Sequence, residues 1–138
     1  MKTRSDSTEF IKQKSFAIIG ATQNRAKYGN IAYRNLRAKG YTVFAINPAV
    51  AEIEGDRCYP SIASLPAKVD GIVTVVPPNV TEKVVREAAE AGITRVWMQE
   101  GSESPEAIQF CQEHGMNVVW DQCIMVVTNY RALMEGDG

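Results

Sequence analysis

Three short stretches of this sequence end alike: "RAKGYTV" (residues 37–43), "EAGITRV" (90–96) and "EHGMNVV" (113–119). Each passes from a helical pattern through one glycine into a β-branched run. Gly40, Gly92 and Gly115 suit the left-handed residue that closes a helix. A chain that repeats helix, stop and strand has few folds open to it. Alternating strands and helices build a parallel sheet with right-handed crossovers. Short Val/Ile-rich runs occur at Phe16–Ile19, Thr42–Ile46, Ile72–Val76, Arg95–Met98 and Val118–Trp120. Runs of this kind read as buried parallel strands. The expected fold is one α/β domain, a doubly wound, mostly parallel sheet of about five strands with helices on both faces.

The helices between the strands are amphipathic. Tyr28, Ile31, Ala32 and Leu36 form one apolar stripe, opposite Arg34, Arg37 and Lys39. A second stripe holds Val80, Val84, Ala88 and Ala91, with Asn79 and Glu82 placed as a capping box. Ser104 and Pro105 suit an N-cap and first helical position. The segment Ala49–Leu65 breaks the rhythm and is expected to hold a short strand at Arg57–Tyr59 and a helical turn at Ser61–Leu65. Residues 1–14 read as a polar lead-in with a short helix over "TEFIKQ", 15–125 as the α/β domain and 126–138 as a tail.

At 138 residues the chain suits one domain. No apolar run reaches the ~18 residues of a membrane span. The polar start lacks a signal-peptide core, so a cytoplasmic location is expected. Cys58, Cys111, Cys123 and the lone His114 do not assemble a zinc set, and the thiols are expected reduced. No metal is expected. A net charge of −1 argues against nucleic-acid binding. Yet nine of the fifteen Lys/Arg fall within the first forty residues, where Asp6 and Glu9 are the only acids. A site for a small polyanion near the first loop would account for that asymmetry.

In an open α/β sheet the ligand sits outside the carboxyl ends of the strands. The first loop, Gly20, Ala21, Thr22, Gln23, Asn24, Arg25 and onward to Lys27, lacks the G-x-G-x-x-G spacing. Gly20 permits a tight turn and close ligand approach. The helix N-terminus beyond it offers free N–H groups to an anion, with Arg25 and Lys27 adding charge. Gly29 suits either tight helix packing or ligand approach. A nicotinamide cofactor would want an acid after the second strand. Asn47-Pro48 stands there, and the first acid is Glu52. A Walker loop is absent. The prolines of "VVPPNV" make a rigid wall suited to adenine or a pantetheine arm.

Five segments together, "AIIGATQNRAKYGN", "YTVFAINPAVAEIEGDRCYPSIASLP", "VDGIVTVVPPNV", "VWMQEGSES" and "VVWDQCIMV", resemble the coenzyme A-binding domain family. That family includes small free-standing members and the N-terminal domains of acyl-CoA synthetases and of the succinyl-CoA synthetase alpha subunit. The resemblance implies a Rossmann-like domain that binds coenzyme A or an acyl-CoA without chemistry of its own, as carrier, sensor or accessory module. It implies phosphate contacts from Gly20–Arg25 and Lys27. It puts Asn47 and Pro48 on the adenosine side, Val76 and Pro77 on the hydrophobic-proline edge, and Gln99 and Glu100 near the pantetheine arm. Coenzyme A carries roughly four negative charges, which suit a cationic loop. No catalytic residue is carried over. The alternatives are an NAD(H)-responsive regulatory or protein-interaction domain, and a thiol exchange with coenzyme A at Cys123. A protein partner or a homo-oligomer stays open.

Overall fold

The computed structural model describes residues 5–131. The outer parts of the expected lead-in and tail, 1–4 and 132–138, lie outside the described residues. Strands β1 (Ser15–Ile19), β2 (Thr42–Ile46), β3 (Glu52–Ile53), β4 (Asp56–Tyr59), β5 (Gly71–Thr74), β6 (Arg95–Met98) and β7 (Asn117–Val119) form one sheet. Their order is β3-β4-β2-β1-β5-β6-β7. All neighbours run parallel except the β3–β4 hairpin. The sheet therefore has seven strands, against the expectation of about five. Beyond the five main runs, β4 is the short strand expected at Arg57–Tyr59, and β3 is unforeseen because it spans two residues, too few to show a period.

Among the described residues five α-helices flank the sheet: α1 (Ser7–Ile11), α2 (Tyr28–Ala38), α3 (Pro78–Glu90), α4 (Pro105–Glu113) and α5 (Ile124–Val127). The pleat sorts the core between the two faces. Phe16 and Ile18 of β1 pack with Phe10, Tyr33, Leu36, Trp97 and Ile124. Ala17 and Ile19, pointing the other way, pack with Val84, Val85, Ala88, Ala107 and Cys111. Helices thus cover both faces. Gly40, Gly92 and Gly115 all have positive φ, as the repeated helix ends require.

Two helix expectations are corrected. Tyr28 is 64% exposed, whereas Gly29, Asn30 and Tyr33 turn inward. The inward face of α2 is rotated because its first turn packs against the β1 loop. At α3 the N-cap is Pro77, with Pro78 in the first turn, so Asn79 lies inside the helix and makes no capping box. Ser104 does cap α4, accepting from the Ala107 amide at 3.3 Å.

Among the described residues no helix is long and apolar enough to cross a membrane, and no metal-ligating cluster occurs.

Candidate functional site

β1 is the point where the chain changes direction across the sheet. β2 and β4 lie to one side of it, and β5 to β7 lie to the other. The loops after β1 and β5 must therefore part above the sheet, which opens a crevice there. At its floor Gly20 has φ +98°, and its amide donates to the Ile46 carbonyl at 3.1 Å. A Cβ on Gly20 would overlap the Val75 carbonyl and come within 2.7 Å of Val76 Cγ1. Gly29 faces the Gly20 carbonyl so closely that a Cβ would overlap it. Its role is close packing of α2 onto the loop, which seats the helix N-terminus at the crevice.

Three clefts meet along this edge. The central one, about 660 Å³ and wide open, is lined by Gly20, Thr22, Lys27, Tyr28, Asn47 and Pro77, among others. It shares Gly20, Asn47 and Val76 with an apolar cleft of about 280 Å³ that includes Ile46, Pro48, Pro60, Ile62 and Val80. On the other side it shares Tyr28 and Val75 with a polar cleft of about 200 Å³ lined by Gln99, Glu100, Asp121, Gln122 and Cys123. The result is one groove with a largely apolar end that also carries Lys83 and Glu87, a middle whose one charge is Lys27, and an acidic, thiol-bearing end.

Local hydrogen bonds set most of these groups. Asn24 Oδ1 accepts from the Ala26 amide at 3.0 Å, and Thr22 Oγ1 accepts from the Asn24 amide at 3.2 Å. Both side chains shape the turn. Lys27 is the N-cap of α2 in extended conformation, without a side-chain cap, and it lines the central cleft together with Tyr28 and Gly29 of the first turn. Asn47 Nδ2 donates to the Ala21 carbonyl at 2.7 Å, and its Oδ1 accepts from the Ala49 amide at 2.8 Å. It ties the end of β2 to the loop. Gln99 is 6% exposed; its Oε1 accepts from the Ile124 amide at 2.8 Å, and its Nε2 lies 3.5 Å from Cys123 Sγ.

The structure brings Gly20, Thr22, Lys27, Asn47, Pro48, Val76, Pro77, Gln99 and Glu100 onto the groove. Ala21 is buried beneath it. Arg25 and Gln23 turn toward the β3–β4 hairpin: Arg25 Nε pairs with Glu54 at 3.2 Å, and Gln23 Nε2 donates to the Glu52 carbonyl at 2.9 Å. The sequence reading missed Tyr28 and Pro60, whereas Asp121, which follows the fifth expected strand, does gather with Glu100 and Cys123. Pro60 had a usable signal. It follows β4 as Pro48 follows Asn47 after β2, and parallel pairing of Ile46 with Tyr59 brings both prolines to one edge. Asp121 has φ +66°, a conformation that aspartate tolerates and a helix-strand pattern does not announce.

The three thiols differ. Cys111 is fully buried and pushed up to about 12 by desolvation, and burial also raises Cys58. Cys123 alone of the three is not buried. An alkylating reagent at neutral pH is expected to label Cys123 first, leaving the other two unmodified until the protein unfolds. Peptide mass mapping reads the order, and early modification of Cys111 would contradict it.

A family model described as a CoA binding domain matches residues 14–129. The chain is 30% identical over 130 residues to an ADP-forming acetate–CoA ligase I of Archaeoglobus fulgidus, covering 87% of this chain and 19% of that ligase. The chain thus spans about a fifth of that relative's length. A conserved hypothetical protein from Pyrococcus furiosus has 46% identity and a TM-score of 0.79, with 83% of this chain and 98% of that one covered. A hypothetical protein from Pyrococcus horikoshii has 30% identity and a TM-score of 0.84, covering 96% and 99%.

Proposed function

The chain belongs to the CoA binding domain family, and from that premise we propose that its groove holds coenzyme A or an acyl-CoA as carrier, sensor or accessory module, without transforming it. Residues 15–125 form the binding unit in this proposal. The observation that carries it is the polarity of the groove. A ligand with a flat base at one end, phosphates in the middle and a neutral thiol arm at the other matches the apolar, basic and acidic stretches in order.

The orientation follows from charge. Glu100 and Asp121 would repel phosphates from the far cleft, whereas an uncharged pantetheine arm tolerates them. Free amides at the α2 N-terminus and Lys27 favour the diphosphate in the centre. The base then lies between Pro48, Pro60 and Val76, with Asn47 beside the ribose. Asn47 carries no charge and spends its side chain on Ala21 and Ala49, so it offers little to the ribose hydroxyls of NAD. Gln99 orders the Cys123 end of the groove, and the reacting end of the ligand would lie near that thiol.

Titration calorimetry with coenzyme A, dephospho-CoA, ATP and NAD tests the reading. Coenzyme A is expected to bind most tightly, and Lys27→Glu to weaken it about tenfold or more through charge reversal beside the phosphates. Tighter binding of NAD than of coenzyme A would overturn the proposal. Native mass spectrometry of the purified protein adds a check that needs no choice of ligand.

A further inference from the structure

We propose that Glu54 is a positioning residue for the groove: its carboxylate holds the loop between β1 and α2 in the shape that presents Lys27 and the α2 amides to a phosphate. The proposal rests on the coenzyme A reading above. Glu54 touches no groove surface itself. It sits at the tip of the β3–β4 hairpin, where Ile53 pairs with Asp56.

Glu54 and Gly55 join those strands with φ of 53° and 81°. Two positive φ values in a two-residue connection mark a type I′ turn, whose first position favours Asn, Asp or Gly. A glutamate there is sterically disfavoured, because a left-handed residue crowds its Cβ against the following carbonyl. The turn alone gives no reason for it. The side chain does. Glu54 Oε2 accepts from Asn30 Nδ2 at 3.1 Å and from Arg25 Nε at 3.2 Å.

Asn30 is fully buried, and the same Nδ2 donates to the Thr22 carbonyl at 2.9 Å. Its Oδ1 accepts from Arg34 Nε at 2.6 Å, and Arg34 Nη2 donates to the Arg25 carbonyl at 3.1 Å. Gln23 reaches the neighbouring Glu52 carbonyl on the same hairpin. The loop is thus fastened at three points: the Thr22 carbonyl accepts from Asn30, Gln23 donates to the Glu52 carbonyl, and Arg25 donates to Glu54 while its carbonyl accepts from Arg34. The Asn30 hydrogen bond, followed by the nearby Arg25 and Arg34 charges, holds the Glu54 carboxyl below its usual range, so it is ionised at neutral pH. Arg25 is turned to this clasp and does not line the groove, whereas Lys27 does.

Glu54→Asn separates the two roles, since asparagine suits the turn and removes the reach of the carboxylate. The variant is expected to fold with an unchanged or higher melting temperature. Its coenzyme A affinity is expected to fall about tenfold, and Arg25→Ala added to it to cost little more, because the two residues act as a unit. Amide hydrogen exchange of residues 21–27 in the ligand-free variant is expected to be faster than in the wild type. Glu54→Gln should lose affinity as well. If Glu54 merely neutralised a phosphate-binding Arg25, either substitution would tighten coenzyme A binding, which would overturn the proposal, as would unchanged loop exchange. A wild type that fails to bind coenzyme A would defeat the ligand reading, while the exchange measurement would still decide the positioning role.

Discussion

Gly29→Ala is expected to destabilise the protein by about 2 kcal/mol and to weaken coenzyme A binding at least about tenfold. The sign is what makes this informative. Gly29 lies in the first turn of α2 without a positive φ. Helix propensity alone would favour alanine there by about 1 kcal/mol. Contact geometry says the opposite. The added Cβ overlaps the Gly20 carbonyl oxygen and lies 3.1 Å from its carbon and 3.3 Å from Ala21 Cα. All three are backbone atoms, so no side chain can rotate away. Gly20 cannot retreat easily either, because its amide is bonded to Ile46 and the Val75 carbonyl lies behind it. The helix must lift or the loop must open, and both spoil the middle of the groove, where the proposal places the phosphates. Urea unfolding and calorimetry check the pair of effects. A variant more stable than the wild type would show that propensity outweighs packing at this contact.

Trp97→Ala is expected to cost about 3–5 kcal/mol of stability and to lower the melting temperature by roughly 10–20 °C. Trp97 has no exposed surface and sits at the centre of β6. Its ring meets Phe10 edge-on at 5.2 Å, and Phe10 stacks on Phe16 at the same distance. Removing the indole leaves a cavity between α1 and the sheet. It also orphans the Gln122 carbonyl, which accepts from Trp97 Nε1 at 2.9 Å. That carbonyl belongs to the loop lining the thiol end of the groove. Trp97→Phe isolates the hydrogen bond: it keeps most of the apolar bulk and is expected to cost about 1–2 kcal/mol. A loss below about 1 kcal/mol for Trp97→Ala would mean that the site collapses freely and that Phe10 is not held by it.

Strand positions were legible because their signal is local. β2 and β6 fall on the expected residues, and β1, β5 and β7 differ only at their ends. Short apolar runs between helix ends can hardly be anything else. The hairpin at Glu52–Tyr59 was half legible. Its two-residue β3 is a strand only because β4 pairs with it antiparallel, while β4 also pairs parallel with β2. The face of α2 was misjudged at Tyr28 because small buried residues, Gly29 and Asn30, do not register as apolar.

The candidate site shows the same division. That Gly20, Asn47 and Pro77 follow strands and so lie at one sheet edge could be read from the order of elements. That Arg25 turns away from the groove could not, because its partner Glu54 is 29 residues distant along the chain. Pro60 carried a local hint in following β4, but that it completes the apolar cleft depends on the pairing of β4 with β2.

By itself the amino-acid sequence determined the alternation of strand and helix, and with it the parallel sheet and the edge along which the groove lies. Period, helix ends and turn residues act between near neighbours, so they are written locally. Tertiary structure alone decided which charges line the groove, because ion pairs and buried amides choose partners by distance in space. Lys27 is left to the groove and Arg25 is bound to a hairpin tip for that reason.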